Sequence, residues 1–294
     1  MTRAPLILSA GIGDARLSDP VWAKEMVALA DQARIDLLLL GDGHASPFDP
    51  LVVASWLAPH AGSVGLVPTI DTGRDLPFHV ARALSALDFL TGGCSGWQPS
   101  TLVQPSIGDS VPRGVDFVGA TRSLWDSWDA DALVIDPTTG VYLDSGKVRR
   151  NDYRGDYFRV LGPLNAARPP QGHPVLVQTD ADPLWSQVAA DVVIIDMDSP
   201  KPPPGPKCLL RTYTALAGLD QITQLYRDGI IDGIHLTPPY PRKGLQEFAD
   251  TMLPALIERG LLPATRPEIQ RAGTLRERLG LSVAPHSFHP IQAD

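Results

Sequence analysis

Eight short apolar runs recur along this chain, and most of them are separated by segments with helical periodicity. The runs are PLILSAGI at 5–12, DLLLLGDG at 36–43, SVGLVPTI at 63–70, CSGWQPS at 94–100, PVLVQT at 174–179, DVVIIDM at 191–197, KCLLRTYTAL at 207–216 and DGIHLTP at 232–238. Most of them do not alternate between apolar and polar residues. A strand of that kind is buried on both faces, which is typical of a parallel sheet covered by helices.

The separating segments predict the helices. Apolar residues recur at helical spacing in 22–34, 49–60, 77–90, 114–129 and 243–260. Strand–helix alternation over eight strands favours an α/β fold of the TIM (β/α)8 barrel type over an open doubly wound sheet. No GxGxxG fingerprint opens the first unit, as a dinucleotide-binding domain would require. The stretch DSPKPPPG is too short for a helix, so one outer helix near 198–206 is predicted to be missing or replaced.

The length and the composition of the chain suit a single barrel domain over 1–294. Hydrophobic residues make up 44% of the 294 residues, and an irregular insertion is expected at about 129–173. A net charge of -8 argues against nucleic acid as the main partner, because phosphate backbones need a basic face. The sequence contains no run of about 18 apolar residues, so no membrane span is predicted. Two distant cysteines and the lack of a leader pattern predict a cytoplasmic protein.

A TIM barrel carries its working residues at the C-terminal ends of the strands. His44, just beyond the second strand, is our candidate catalytic residue, because imidazole exchanges protons near neutral pH. The alternative is a solvent-exposed loop histidine. His235 lies inside the last strand, where it either points into the barrel or packs in the core. Asp196 and Asp198 have no His, Asp or Glu partners at ligand spacing, so no metal site is predicted.

One block of the sequence resembles a known family. LPFHVARALSALDFLTGGCSGW at 76–97, followed by Thr101, is similar to the PYHLAR…LDxLSGGRxGWNxVTS signature of luciferase-like flavin-dependent monooxygenases. Within that family, the chain resembles the branch of nitrilotriacetate and dibenzothiophene sulfone monooxygenases. The similarity continues through 124–148, 154–178, 232–240 and 274–281. This chain is shorter than the usual member. The resemblance implies reduced FMN supplied by a separate flavin reductase, reaction with O2, and a small organic substrate.

Six residues match positions that lie near the flavin in that family. They are Asp42, Thr69, Thr72, Gln98, Thr101 and Gln178. One of the two threonines after the third strand is expected to reach the flavin ring, and the sequence does not decide which. Gln98 stands where the family usually has Asn, a change that keeps the amide and lengthens its reach. The resemblance therefore implies that FMN binds at the top of the barrel.

Two segments depart from the family pattern. After the fourth strand, 102–117 lacks the family's His and Tyr, which help to hold the flavin phosphate and substrate. After the fifth strand, the family has Gln-Ala-Gly-Ser-Ser, whose backbone N–H groups face the FMN phosphate at a helix N-terminus. This chain has Asp180 and Asp182 in that loop, followed by Pro183. Because two carboxylates repel a phosphate, the sequence predicts that FMN either binds in a different way or is bound weakly or not at all.

Two functional hypotheses follow. The first is an FMN-dependent monooxygenase that acts on a small organic molecule with a flavin reductase as its partner. The second is a degenerate, non-catalytic member that serves as a partner subunit or binds a flavin or another small ligand. A deazaflavin cofactor is a weaker third alternative, because the matched blocks belong to the FMN branch. The missing outer helix favours pairing, either as a homodimer or as a hetero-oligomer.

Overall fold

The eight predicted strands close into one parallel barrel. The computed structural model describes residues 3–41, 48–103, 109–199, 205–212, 218–267 and 272–286. The barrel strands are β1 (Ile7–Ile12), β2 (Leu37–Leu40), β3 (Gly65–Asp71), β4 (Gly96–Ser100), β5 (Val175–Thr179), β6 (Val192–Ile195), β7 (Lys207–Thr212) and β8 (Gly233–Leu236). Each strand pairs in parallel with its neighbours in sequence, and β8 pairs with β1 to complete the ring. The predicted TIM barrel is confirmed.

The strands read as continuous apolar runs because both of their faces are buried. One set of side chains fills the lumen of the barrel, among them Leu37, Val67 and Val177. The set one residue out of phase packs on the outside against the helices, among them Leu38 and Leu176. Successive side chains of a strand point to opposite faces, so two buried faces leave few positions for polar residues.

Outer helices follow most of the strands. They are α1 (Pro20–Gln32), α2 (Pro50–Leu57), α3 (Pro77–Leu90), α4 (Ser110–Trp125), α5 (Leu219–Arg227), α6 (Pro241–Glu247) and α7 (Leu253–Glu258). Asp19 and Asp49 cap α1 and α2 by accepting hydrogen bonds from the N–H groups of Val21 (2.9 Å) and Leu51 (2.8 Å). A π-helical turn joins α6 to α7. Within the described ranges, none of the helices has the length and apolar character needed to cross a membrane.

Two neighbouring units have no α-helix in the part of the chain that the structure describes. After β5 the chain forms only a 3-10 turn, Pro183–Ser186, which Asp182 caps. After β6, residues 196–199 and 205–206 are not helical, and residues 200–204 lie outside the description. The described flanks agree with the helix gap predicted near 198–206. The loss of a helix after β5 is a second gap, which the sequence did not predict.

The insertion at 129–173 packs beside α4. Its two short antiparallel pairs join Leu133–Asp136 to Val141–Leu143, and Tyr153–Arg154 to Arg159–Val160. The carboxylate of Asp116, which lies in α4, accepts hydrogen bonds from the Tyr153 hydroxyl at 2.5 Å and from the N–H of Tyr157 at 2.6 Å. These bonds fix the second pair of strands to the barrel.

Residues 272–286 close the bottom of the barrel. They carry the short helix α8 (Leu275–Arg278). The side chains of Leu275 and Leu279 join the luminal cluster from below. Arg276 binds Asp191, at the start of β6, through two hydrogen bonds of 2.7 and 3.0 Å. The apolar interior is therefore sealed at the end opposite the C-terminal ends of the strands.

Candidate active site at the mouth of the barrel

Towards the C-terminal ends of the strands, the side chains that face the lumen are polar instead of apolar. Each polar residue lies two residues after a luminal position of its own strand, and so it faces the same side. These residues are Ser9, Thr69, Gln98, Thr179, Arg211 and His235. Because TIM barrels build their sites at this end, we take this ring of polar side chains as the candidate active site.

A buried hydroxyl–amide pair comes from β3 and β4. Thr69 and Gln98 are partners in the strand register, and Thr69 Oγ1 donates a hydrogen bond of 3.0 Å to Gln98 Oε1. Their exposed fractions are only 6% and 3%, so the bond holds the amide in a fixed orientation. The NH2 group of a glutamine is a donor, and the pair therefore suits a ligand that offers a hydrogen-bond acceptor.

A buried hydroxyl–imidazole pair comes from β1 and β8. Ser9 Oγ lies 2.8 Å from His235 Nδ1, and neither side chain is exposed to solvent. Of the two alternatives that the sequence left for His235, the structure combines both, because the side chain faces the lumen and is fully buried with a hydrogen-bond partner. The hydrogen bond fixes the orientation of the imidazole ring.

Arg211 of β7 is the cation of the luminal ring. It donates a hydrogen bond of 3.0 Å to Thr179 Oγ1 and forms ion pairs with Asp196 (3.3 Å) and Asp180 (3.7 Å). The Asp180 carboxylate also accepts hydrogen bonds from the N–H of Asp196 at 2.7 Å and from the Ser199 hydroxyl. The charge of Arg211 is therefore matched within the protein.

The carboxylate of Asp182 accepts four hydrogen bonds where the ends of β4 and β5 meet. The donors are the Ser100 hydroxyl (2.9 Å), the Thr101 N–H (2.7 Å), the Thr101 hydroxyl (2.7 Å) and the Leu184 N–H (3.0 Å). Asp182 is 1% exposed. Ionised carboxylates make strong hydrogen bonds, so this cluster joins the two strand ends firmly.

A sequence profile of the luciferase-like monooxygenase family matches residues 10–203, which is more than half of the chain. The chain is also 32% identical to one of the two subunits of pristinamycin IIA synthase from Streptomyces pristinaespiralis, over 90% of each protein. The chain belongs to the luciferase-like monooxygenase family.

Other relatives are matched over a smaller share of their length. The other subunit of the same synthase is 30% identical over 59% of this chain and 39% of its own length. The dibenzothiophene-sulfone monooxygenase of Rhodococcus erythropolis is 35% identical over 49% of this chain and 34% of the enzyme. The barrel also resembles the solved EDTA monooxygenase of Chelativorans sp. BNC1, with a TM-score of 0.80 at 19% identity over 96% of this chain and 100% of that one. The similarity to this branch of the family, drawn above from sequence blocks, is confirmed.

The site residues predicted from the sequence do not all lie in the same place in the structure. Thr69 and Gln98 lie together in the lumen. Thr72 donates a hydrogen bond of 3.1 Å to the Ser100 carbonyl, and both donors of Thr101 are directed to Asp182. These two threonines therefore connect strand ends. Asp42 and His44 lie outside the described residues, so their proposed roles stay predictions.

Gln178 does not join the luminal residues. It lies next to Pro99 of β4, and its Nε2 donates a hydrogen bond of 2.8 Å to the Pro99 carbonyl. Its neighbour Val177 faces the lumen, so Gln178 occupies the outer face of β5. Its Oε1 is buried without a hydrogen-bond partner among the described residues. A contact between Gln178 and a luminal ligand is thus not supported by its position.

The loop after β5 does not fit the phosphate of FMN in the way that the family pattern implies. The sequence attributed this to repulsion by two carboxylates, and the structure adds that both carboxylates are engaged by partners within the protein. Asp180 is paired with Arg211, while Asp182 occupies the donors at the strand ends. A phosphate at these strand ends would therefore meet neither an unmatched cation nor free donors on Ser100, Thr101 and Leu184.

Ser9 and Arg211 are luminal residues that our sequence analysis did not select. The signal was present, because Ser9 is the single polar residue of an otherwise apolar strand and Arg211 is a charged residue directly after the apolar Cys-Leu-Leu of β7. Its use requires the phase of each strand to be known, since alternate residues face opposite sides. Across the described ranges there is no group of three or more His, Cys, Asp or Glu residues placed to hold a metal ion.

Proposed function

We propose that this chain is the shorter partner in a two-chain flavin-dependent monooxygenase. In this assembly a longer luciferase-like chain holds FMN, a separate reductase supplies the flavin in its reduced form, and a small organic substrate is oxidised with O2. One observation carries the proposal: the carboxylate of Asp182 takes four hydrogen-bond donors where the ends of β4 and β5 meet, so these donors are not left for a phosphate.

Electrostatics at this loop oppose FMN binding by the chain alone. A phosphate monoester carries nearly two negative charges at neutral pH. At about 5 Å from a carboxylate, each of these charges costs about 3 kcal/mol with an effective dielectric constant of about 20. Arg211 does not offset this cost, because Asp180 and Asp196 already match its charge. The FMN phosphate therefore finds a better site on another chain.

The proportions of the relatives support the same proposal. This chain extends over 90% of one pristinamycin IIA synthase polypeptide but over only 39% of the other. The names of these two proteins describe a synthase with two different polypeptides. By analogy, a chain with the proportions of the first works beside a longer member of the same family.

The lumen contributes groups suited to an uncharged ligand. The Thr69–Gln98 and Ser9–His235 pairs supply hydrogen-bonding groups in a buried setting, and the charge of Arg211 is matched. Buried polar groups bind ligands that satisfy their hydrogen bonds and reject those that leave a charge unpaired. We therefore expect the mouth to prefer a neutral organic molecule over a phosphorylated one.

Titration of the purified chain with FMN, reduced FMN and riboflavin tests the proposal. The chain alone is expected to show no saturable binding of either form of FMN at micromolar concentration. Addition of the longer luciferase-like chain of the same organism should restore FMN binding and form a stable complex on size exclusion. Saturable micromolar binding of reduced FMN by this chain alone would contradict the proposal.

Two matched variants separate charge from other causes. Asp182→Asn removes the carboxylate charge, and Asp220→Asn removes a carboxylate of α5 that is 92% exposed and pairs with Arg259. If Asp182 excludes phosphate, Asp182→Asn should narrow the difference in affinity between riboflavin and FMN, whereas Asp220→Asn should leave it unchanged. Equal effects of the two variants would remove the electrostatic argument.

A second candidate function is a single-chain FMN monooxygenase. It is favoured by Thr69 and Gln98, which occupy family positions and meet in the lumen. This alternative requires the chain alone to bind FMN at least as tightly as riboflavin. It also requires substrate oxidation when only a flavin reductase and O2 are supplied. The same titrations therefore distinguish the two candidates.

A further inference from the structure

A cavity of about 620 Å³ lies at the bottom of the barrel, remote from the mouth. Its wall includes the C-terminal half of α4, the residues that precede β6, the first residue of β7 and residues 280–285. These are the N-terminal ends of the strands, whereas the luminal polar ring lies at their C-terminal ends. The cavity is therefore separate from the candidate active site.

The first carboxylate of the cavity wall is neutralised within the protein. Asp191 receives two hydrogen bonds from the guanidinium of Arg276, at 2.7 and 3.0 Å, and one of 2.9 Å from the N–H of Leu176. Arg276 is itself 7% exposed and donates further to the Ser282 and His173 carbonyls. This pair adds no net charge to the cavity.

The second carboxylate is also neutralised. Asp126 pairs with the guanidinium of Arg168, and its Oδ1 lies 2.8 Å from His173 Nε2. Burial lowers the pKa of His173, although the hydrogen bond with Asp126 acts in the opposite direction. The imidazole is therefore neutral near pH 7, and the Asp126–Arg168 pair also contributes no net charge.

Two cations of the wall have no such partner. Arg122 and Lys207 both line the cavity, and neither forms an ion pair with a carboxylate among the described residues. Arg122 donates one hydrogen bond of 2.7 Å to the Ala189 carbonyl, which leaves most of its five N–H donors for other acceptors. Burial lowers the pKa of Arg122, although the negative charges of Asp191 and Asp126 act in the opposite direction. The cavity therefore has a positive electrostatic surplus.

We propose that this cavity binds a small organic anion whose phosphate or carboxylate head group contacts Arg122 and Lys207. An arginine fork binds such groups through two parallel hydrogen bonds, and a lysine adds a compact positive charge. The hydroxyl of Ser282 in the same wall supplies an additional donor for the head group or for a polar body. A volume of about 620 Å³ lies within the range of small-molecule sites and exceeds what a bare inorganic anion fills.

This site is independent of flavin. It shares no residue with the luminal polar ring, and its proposed ligand needs neither FMN nor a second chain. A bound anion would stabilise the contact of residues 280–285 with α4, because both line the cavity. Ligands that bind only the folded state raise its stability as their concentration increases.

Calorimetric titration of the full chain with ribose 5-phosphate and with succinate, at constant ionic strength, tests the proposal. We expect saturable binding of at least one of them, accompanied by a higher melting temperature. Arg122→Gln and Lys207→Gln should each weaken that binding about tenfold or more, because each removes charge-assisted hydrogen bonds. Arg122→Lys keeps the charge and should retain part of the affinity. Binding of only one probe identifies the head group as phosphate or carboxylate.

Lys243→Gln is the matched control, because Lys243 is 73% exposed on α6 and its removal changes the net charge equally. It should leave the affinity for the bound probe unchanged. Absence of saturable binding for both anions would overturn the proposal. So would equal weakening by Lys243→Gln and Arg122→Gln, since that result indicates general attraction to the protein surface. Lys207→Gln keeps the test decisive if Arg122→Gln fails to fold.

Discussion

Asp182 is an internal anion that completes the hydrogen bonds of two strand ends. Its carboxylate has two oxygens and receives four donors, three of which come from Ser100 and Thr101. Hydrogen bonds to a charged group each contribute about 1.5–3 kcal/mol. A ligand phosphate would have to displace this carboxylate and leave it buried without partners. The residue that stabilises the mouth thus also limits what the mouth binds.

Asp36 provides a pH-dependent test at the scale of one residue. Burial raises the pKa of its carboxyl from 3.8 to about 6, although the N–H of Leu8 donates a hydrogen bond of 2.9 Å to it. The folded state therefore holds a proton that the unfolded state releases between these values. Stability contributed by the protonated form is present below pH 3.8 and is lost as the pH rises through about 6.

We expect Asp36→Asn to remove this loss, because an amide does not ionise. Relative to the variant, the wild-type free energy of unfolding should fall by about 3 kcal/mol across that interval, at about 1.4 kcal/mol for each pKa unit. Urea unfolding of both proteins at several pH values measures the difference. A difference that stays constant with pH would show that Asp36 does not titrate in this way.

At the scale of elements, the turn between α3 and β4 depends on two glycines with positive φ. Gly92 has φ of +62° and open space where a Cβ would stand. Gly93 has φ of +82°, and a Cβ there would lie 2.8 Å from Thr274 Cγ2. Thr274 caps α8, so a clash at Gly93 also disturbs the helix that closes the barrel.

Gly92→Ala should therefore cost about 1 kcal/mol of unfolding free energy, from backbone strain alone. Gly93→Ala should cost clearly more, because the strain is joined by displacement of Thr274 and its capping box. Chemical denaturation of the two variants, measured side by side, gives the comparison. Equal losses would mean that Thr274 moves aside without consequence.

The elements also show what the sequence could and could not reveal. The barrel strands were predicted because each is an apolar run bounded by turn residues. Helix α5 was missed, since it has only nine residues and begins at Gly218 without a side-chain cap. The face on which Gln178 lies depends on strand register, where a shift of one residue reverses the result. Hydrogen-bond partners such as Thr101 and Asp182 are 81 residues apart and follow only from the fold.

At the scale of the whole molecule, the barrel is stabilised by its closure from below. Leu275 is fully buried and packs with the luminal leucines and valines. Leu275→Ala should lower the unfolding free energy by about 2–5 kcal/mol, because it opens a cavity beneath the lumen. Val283→Ala is the control, since Val283 is 89% exposed in the same segment. Losses of similar size in both variants would argue against a sealing role for Leu275.

The position of this closing segment along the chain also has a consequence for biosynthesis. Translation completes all the barrel strands before it reaches α8. The bonds that seal the base then connect late residues to early ones, as Leu275 N–H does with the Gly93 carbonyl at 2.8 Å and Arg278 with the Ser63 carbonyl at 2.6 Å. We expect a nascent barrel to expose part of its luminal leucines and valines at the bottom until those bonds form. We therefore expect closure of the base by residues 272–286 to be a late step of folding.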